Sequence, residues 1–177
     1  MGKEMNRRQV LAAATAIGSA PFLVPPTAAA AVQSDAIAVR ILLDEYVAAW
    51  AAADATRMFA SATEDIHWVN VVGMHWQGKP AVERAHAVYL TSIFKDVPMT
   101  LEAVESIVPI GSETLAVVAR FNVGGYTSPG GFKAPASKDR MSLILLKTRQ
   151  GLKIAHVANI EIVAAAAAHN PIRSPAD

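Results

Sequence analysis

The apolar residues of this chain change their period along its length, and that change limits the folds open to it. In the first half Val39, Leu43, Tyr46, Val47 and Trp50 recur at the spacing of one helix face, which predicts an amphipathic helix over 35–52. Ser34 stands at its N-cap and Asp35 in its first turn, where a negative charge suits the helix dipole. Pro80, at a favoured first-turn position, opens a further helix over 80–95 with Val82, Ala85, Tyr89 and Ile93 on one face. Beyond residue 98 the pattern is that of strands, expected near 99–109, 114–123, 138–148 and 152–163. The stretch "GGYTSPGGFKAPAS" reads as a long Gly/Pro-rich loop between two of them, and "RQG" at 149–151 as a tight hairpin turn.

Shorter pieces lie between the two long helices. Asp54 caps a short helix through Met58 and Phe59. "DIHWVNV" alternates and is rich in β-branched and aromatic residues, so 65–71 is a strand; Gly73 permits a turn, and "MHWQG" returns as a second short strand. The order is two helices, a hairpin, a helix and four antiparallel strands. It predicts a single α+β domain: a cone-shaped, strongly curved antiparallel sheet packed against three helices. Such a cone leaves an apolar cavity open at one end, where small ligands bind.

The N-terminus belongs to something else. "MNRRQVLAAATAIGSAPFLVPPTAAAA" has paired arginines, an Ala-rich apolar stretch and then small residues suited to cleavage, so 1–30 reads as a signal peptide. Arg7 and Arg8 followed by "QVL" are similar to the bacterial twin-arginine export signal, and an exported, periplasmic or secreted protein is expected. An ordinary secretory signal is the alternative. The domain then covers 31–163 and a tail 164–177. The net charge of +1 becomes −1 once Lys3, Glu4, Arg7 and Arg8 are set aside, so the basic excess argues for no nucleic-acid partner. With no Cys, the domain must rely on its core, which about 147 residues can supply.

Chemistry-bearing side chains concentrate in "HWVNVVGMHWQG", residues 67–78. Asn70 alternates with Trp68 and Ile66 and shares their side of the strand. Its amide either bonds the neighbouring turn or holds a ligand carbonyl or hydroxyl. His67 and His75 flank the turn and point outward or pack in the hairpin; no spacing here matches a metal-ligand motif, and no metal is expected. Trp50, Trp68 and Trp76 are either core or the wall of a ligand pocket. Tyr46 lies on the apolar stripe, so its hydroxyl is buried and needs a partner, in a ligand or in the backbone. Asp139 opens a strand, either solvated and paired with Lys138 or reaching the cavity. His156 and Asn159 have opposite alternation, so one of them at most faces inward. No nucleophile elbow and no Gly-rich dinucleotide fingerprint occur, and no cofactor is expected.

The element order resembles the nuclear transport factor 2-like, or SnoaL-like, superfamily with its cystatin-like fold. "AW", "WVNVVGMHWQGKPAVERAH" and "IAHVAN" resemble its SgcJ/EcaC branch. That branch tends to close its last strand with His-Asn-Thr, where this chain has Ala158-Asn159-Ile160 and a His two residues earlier, His156. The branch often carries His at the position of His86, which makes it a candidate proton acceptor at the cone. "YVAAWAAAD" followed by "NVVG" is also similar to the ketosteroid isomerase pattern, which sets a Tyr and a protonated Asp at an oxyanion and uses a separate Asp base. That resemblance implies Tyr46 as the oxyanion Tyr, Asn70 at the place of the base and, by strand order, Asp139 as the proton-donating Asp. An amide takes up no proton at neutral pH, so Asn70 departs from the pattern. The candidate catalytic set is therefore Tyr46, Asn70 and His86, with Trp50, Trp68, Trp76, Asp139, His156 and Asn159 about the pocket. The resemblances imply cofactor-free proton transfer on a small hydrophobic carbonyl compound, of the isomerase, cyclase or dehydratase type. The alternative they leave is a non-catalytic ligand-binding or partner-assisting module. They also imply a homodimer formed through the outer face of the sheet.

Overall fold

The computed structural model describes residues 28–167 and 169–172; the expected signal up to residue 27 and the end of the tail lie outside the described residues. The first helix, α1 (Ala28–Ala51), begins before the expected Asp35, because the alanines from Ala28 to Ala31 are strong helix formers and nothing breaks them. It buries Val39, Leu43, Tyr46, Ala49 and Trp50. The short α2 (Ala55–Met58) is capped by Asp54, whose Oδ1 accepts from the Arg57 N–H at 2.9 Å. β1 (Ala62–Val69) and β2 (His75–Gln77) form the hairpin. α3 (Lys79–Leu90) has Pro80 in its first turn and ends earlier than the expected residue 95. Thr91 and Ser92 stop it: their hydroxyls donate back to the carbonyls of Ala87 (2.8 Å) and Val88 (2.6 Å), satisfying the open end.

The strands that follow are β3 (Met99–Ile110), β4 (Thr114–Val123), β5 (Tyr126–Thr127), β6 (Lys133–Ala134), β7 (Ser137–Thr148) and β8 (Gly151–Glu161), then the one-turn α4 (Ala164–Ala167). The Gly/Pro-rich loop therefore holds a two-stranded ribbon of its own, β5 with β6. The main sheet has the order β2-β1-β8-β7-β4-β3. One pairing corrects the all-antiparallel expectation: β1 runs parallel to β8, making the sheet mixed. A hairpin turn forces its two strands to be antiparallel, but β1 and β8 are joined through all the elements from β2 to β7 and face no such constraint.

β4 alternates without a break, burying Leu115, Val117, Ala119, Phe121 and Val123 against the helices. Register shifts near Leu101–Ala103, Val104–Ser106 and Ile144–Leu145 mark bulges, which bend the strands around the helices. The outer face carries a charge lattice. Arg120 lies 3.3 Å from Glu102 and 3.0 Å from Glu105, Lys138 pairs with Glu102 (2.8 Å), and Arg140 pairs with Glu105 through Nε (2.6 Å). Among the described residues no helix is long and apolar enough to cross a membrane.

Candidate functional site

Between the inner face of the sheet and helices α1 and α3 lies a cavity of about 260 Å³. Its wall is rich in aromatic side chains: Trp50 from α1, Trp68 from β1, Trp76 from β2, Tyr89 from α3, Phe94 from the turn after α3 and Tyr126 from β5. Into that wall the fold sets a few polar side chains, among them Tyr46, Asn70, His86, Asp139 and Asn159.

Tyr46 is 4% exposed, stacked on Trp68 (6.2 Å between centroids) and edge-on to Phe59 (6.3 Å) and Phe121 (6.2 Å). No described residue hydrogen-bonds its hydroxyl, so of the two partners open to it, ligand or backbone, the backbone carbonyl is not found among the described residues. Burial, and then the charge of nearby Asp139, raise its pKa far above the ordinary phenol value. The group is therefore a fixed O–H donor at the cavity.

Asp139 is buried on the inward side of β7, while its neighbour Lys138 faces outward to Glu102, so the two do not pair. Its Oδ2 accepts from Asn159 Nδ2 at 2.9 Å and its Oδ1 from Ser137 Oγ at 3.4 Å. Burial raises the carboxyl pKa; the Asn159 bond opposes this, Glu161 adds to it, and the Ser137 bond opposes it again. Asn159 holds its Oδ1 buried and without a partner among the described residues, beside the carboxylate. His156 does not line the cavity, contrary to the expectation that placed it about the pocket. It sits in register with His67, on the face opposite to Trp68. The alternation argument thus resolves in favour of Asn159.

His86 is held by Nδ1 against the Val82 carbonyl at 2.9 Å, which fixes the Nδ1–H tautomer and leaves Nε2 as an acceptor. Phe59 (4.6 Å), Trp68 (4.7 Å) and Trp76 (5.5 Å) enclose the ring. Burial pushes its pKa down to about 4, the Val82 bond opposing only in part. The imidazole is neutral and a weak base near pH 7, which makes it a poorer proton acceptor than an ordinary histidine.

Asn70 lines the same cavity as Tyr46, but its amide oxygen is already committed. Oδ1 accepts from the backbone N–H of Met74 (2.8 Å) and Val72 (3.2 Å), closing the turn at Gly73, whose φ of 82° suits only glycine comfortably. Its Nδ2 has no partner among the described residues. The side chain is thus half turn lock and half cavity donor. Outside the cavity, His67 Nδ1 and His75 Nε2 meet at 3.0 Å, with Gln77 3.3 Å from the other His67 nitrogen. Among the described residues no three metal-ligating groups converge.

Several lining residues went unread in the sequence. Met141 and Glu161 follow Asp139 and Asn159 by two positions and were available from strand alternation. Tyr126 sits on the two-residue β5, too short to show a period, and Phe94 in the turn that replaced the last turn of the expected helix.

A curved mixed sheet closed by helices over one apolar cavity with a few polar groups defines the cystatin-like, nuclear transport factor 2-like class of α+β domains. Residues 39–159 match the family model described as a SnoaL-like domain, and the chain belongs to that family. Among solved structures it is similar to an uncharacterised protein with a cystatin-like fold from Caulobacter vibrioides, at 28% identity and a TM-score of 0.73, covering 78% of this chain and 96% of that one. A ketosteroid isomerase-like protein from Erwinia carotovora atroseptica shares 18% identity (TM-score 0.57, covering 72% and 95%). An NTF2-like protein with a cystatin-like fold from Novosphingobium aromaticivorans shares 16% (TM-score 0.60, covering 80% and 92%). At those identities the last two speak for the fold alone. No curated protein matches the chain.

Proposed function

We propose that this protein binds a small, mostly apolar carbonyl compound and moves a proton on it without a cofactor, as isomerases, cyclases and dehydratases do. The observation that carries the reading is the convergence of a fixed hydroxyl donor, Tyr46, and a buried carboxyl, Asp139, on one aromatic-walled cavity. Tyr46 donates to the substrate carbonyl oxygen and stabilises the negative charge that builds there as a neighbouring C–H is deprotonated. Asp139 takes that proton and returns it to another atom of the substrate, a role its raised pKa suits. Asn159 orients the carboxyl, and the free Nδ2 of Asn70 is a second donor for the substrate oxygen.

A deuterium-exchange assay tests this. The protein is incubated in D2O with a panel of small β,γ-unsaturated and hydroxylated ketones, and label uptake at carbon is followed by NMR. Wild type is expected to exchange at least one panel member, Asp139→Asn to slow this by about 10²- to 10⁴-fold, and Tyr46→Phe also to slow it. The second reading, a non-catalytic binding module, draws on the weak basicity of His86 and the committed oxygen of Asn70. Binding without exchange by any panel member would decide for it.

Export through the twin-arginine route rests on Arg7, Arg8 and the apolar stretch after them. Retention in the cytoplasm when both become Lys is the expected result, and unchanged export would count against it. Within the SnoaL-like family we place the chain in the SgcJ/EcaC branch, on the stretch from Trp68 to His86.

A further inference from the structure

We infer that Phe94 sets the length of ligand this protein accepts, as the removable half of a wall between the cavity and a second cleft. This rests on the reading of the cavity as a ligand site. The cleft, of about 500 Å³, is lined by Ala53, Leu90, Lys95, Asp96 and Val97 among others, and Trp50 and Phe94 line both spaces. The two rings meet at 5.2 Å between centroids.

They are not held alike. Trp50 is clamped by its Nε1–H, which donates to the Val97 carbonyl at 2.8 Å, so moving it breaks a buried hydrogen bond. The Phe94 ring is held by packing alone, against the core and the rings of Trp50, Tyr126 (4.9 Å) and Tyr89 (6.2 Å). Its backbone is fixed independently of the ring, by Phe94 N–H to the Tyr89 carbonyl (2.8 Å) and Val97 N–H to the Phe94 carbonyl (3.1 Å). Truncating the ring therefore removes the partition without releasing the turn that frames it. The cleft also has a shaped backbone: Ala53 (φ 52°) and Asp96 (φ 60°) both hold left-handed conformations that side chains other than glycine rarely adopt. With the wall in place, the cavity offers a ligand about 260 Å³. Without it, an apolar tail runs on into the cleft.

The test is a series of 4-n-alkylphenols titrated calorimetrically against the full chain, the phenol serving as a head group for the polar side chains. In wild type, affinity rises about fourfold per methylene until the cavity is full and then levels off. Phe94→Ala is expected to continue the rise for further methylenes. Phe94→Leu breaks at an intermediate length, which keeps the test open if the alanine variant does not fold, and Phe94→Trp levels off no later than wild type. The same break point in wild type and in the truncated variants would overturn the role of Phe94 while leaving the cavity as the ligand site. Failure of every protein to bind any phenol would overturn the reading of the cavity itself, and this inference with it.

Discussion

Among the described residues His86 makes one hydrogen bond, to the Val82 carbonyl, and the rings of Phe59, Trp68 and Trp76 pack around it, so a positive charge on its ring is poorly solvated. Its folded pKa of about 4 lies below the ordinary value of 6.5, and the unfolded chain therefore binds this proton first as pH falls. Stability from His86 is complete above pH 6.5 and is lost between there and about pH 4, a change of about 3 kcal/mol. Asp139 has the opposite sign: its raised pKa gives stability present at acid pH and lost as pH rises through the folded value. Thermal melts from pH 7.5 to 4 should show a fall in the wild type that His86→Phe largely lacks. Parallel curves would place the acid sensitivity elsewhere. Asn70 makes a second residue-scale case. Asn70→Ala abandons two backbone donors in the turn and is expected to cost about 1–2 kcal/mol in denaturant unfolding. Asn70→Asp keeps the acceptor and should stay within about 0.5 kcal/mol of wild type; equal losses in both variants would refute the turn-lock role.

At the scale of elements, β2 is three residues long at the sheet edge, and it carries Trp76 into the cavity wall. Its place depends on the Gly73 turn. Gly73→Ala meets no steric obstacle but strains a φ of 82°, at a cost of about 1 kcal/mol. Faster amide exchange confined to β1 and β2 is the expected result, and unchanged protection there would show that the turn does not hold the strand. The hairpin was legible because Ile66 and Trp68 bury one face of β1, and alternation reads such a strand directly. β4 was legible for the same reason. The parallel pairing of β1 with β8 was not, since no local signal sets the direction of strands that meet only on closure. Strands of two residues, as in β5 and β6, have no period to read. The site divides in the same way. One helix stripe and one strand face placed Tyr46 and Trp68 beside a common interior. The bond from Asn159 to Asp139 depends on the β7–β8 register, which sets Asp139 opposite Glu161 and Met141 opposite Asn159. That register is a tertiary result.

Over the whole molecule the outer face of the sheet is the surface to consider for a second copy. Val118 sits near its middle, in register with Ser106, Ser142 and Ala158, a row of small and apolar side chains. Val108 and Ile160 are exposed on the same face. Beside this row Glu102 and Glu105 are shared among Arg120, Lys138 and Arg140, so each of these charges has an opposite charge at hand when the face is covered. We propose a homodimer through this surface, as the family resemblance implies. A stable interface buries about 1,600 Å² in total, and a central charge without a partner is the change it tolerates least. Val118→Glu should therefore halve the mass found by analytical ultracentrifugation and leave the far-UV spectrum unchanged, because its side chain faces away from the core. Ligand binding should survive as well, since the cavity opens on the opposite face of the sheet. A wild-type protein that sediments as a monomer at tens of micromolar would remove the dimer. A Val118→Glu variant that remains dimeric would move the interface to another surface.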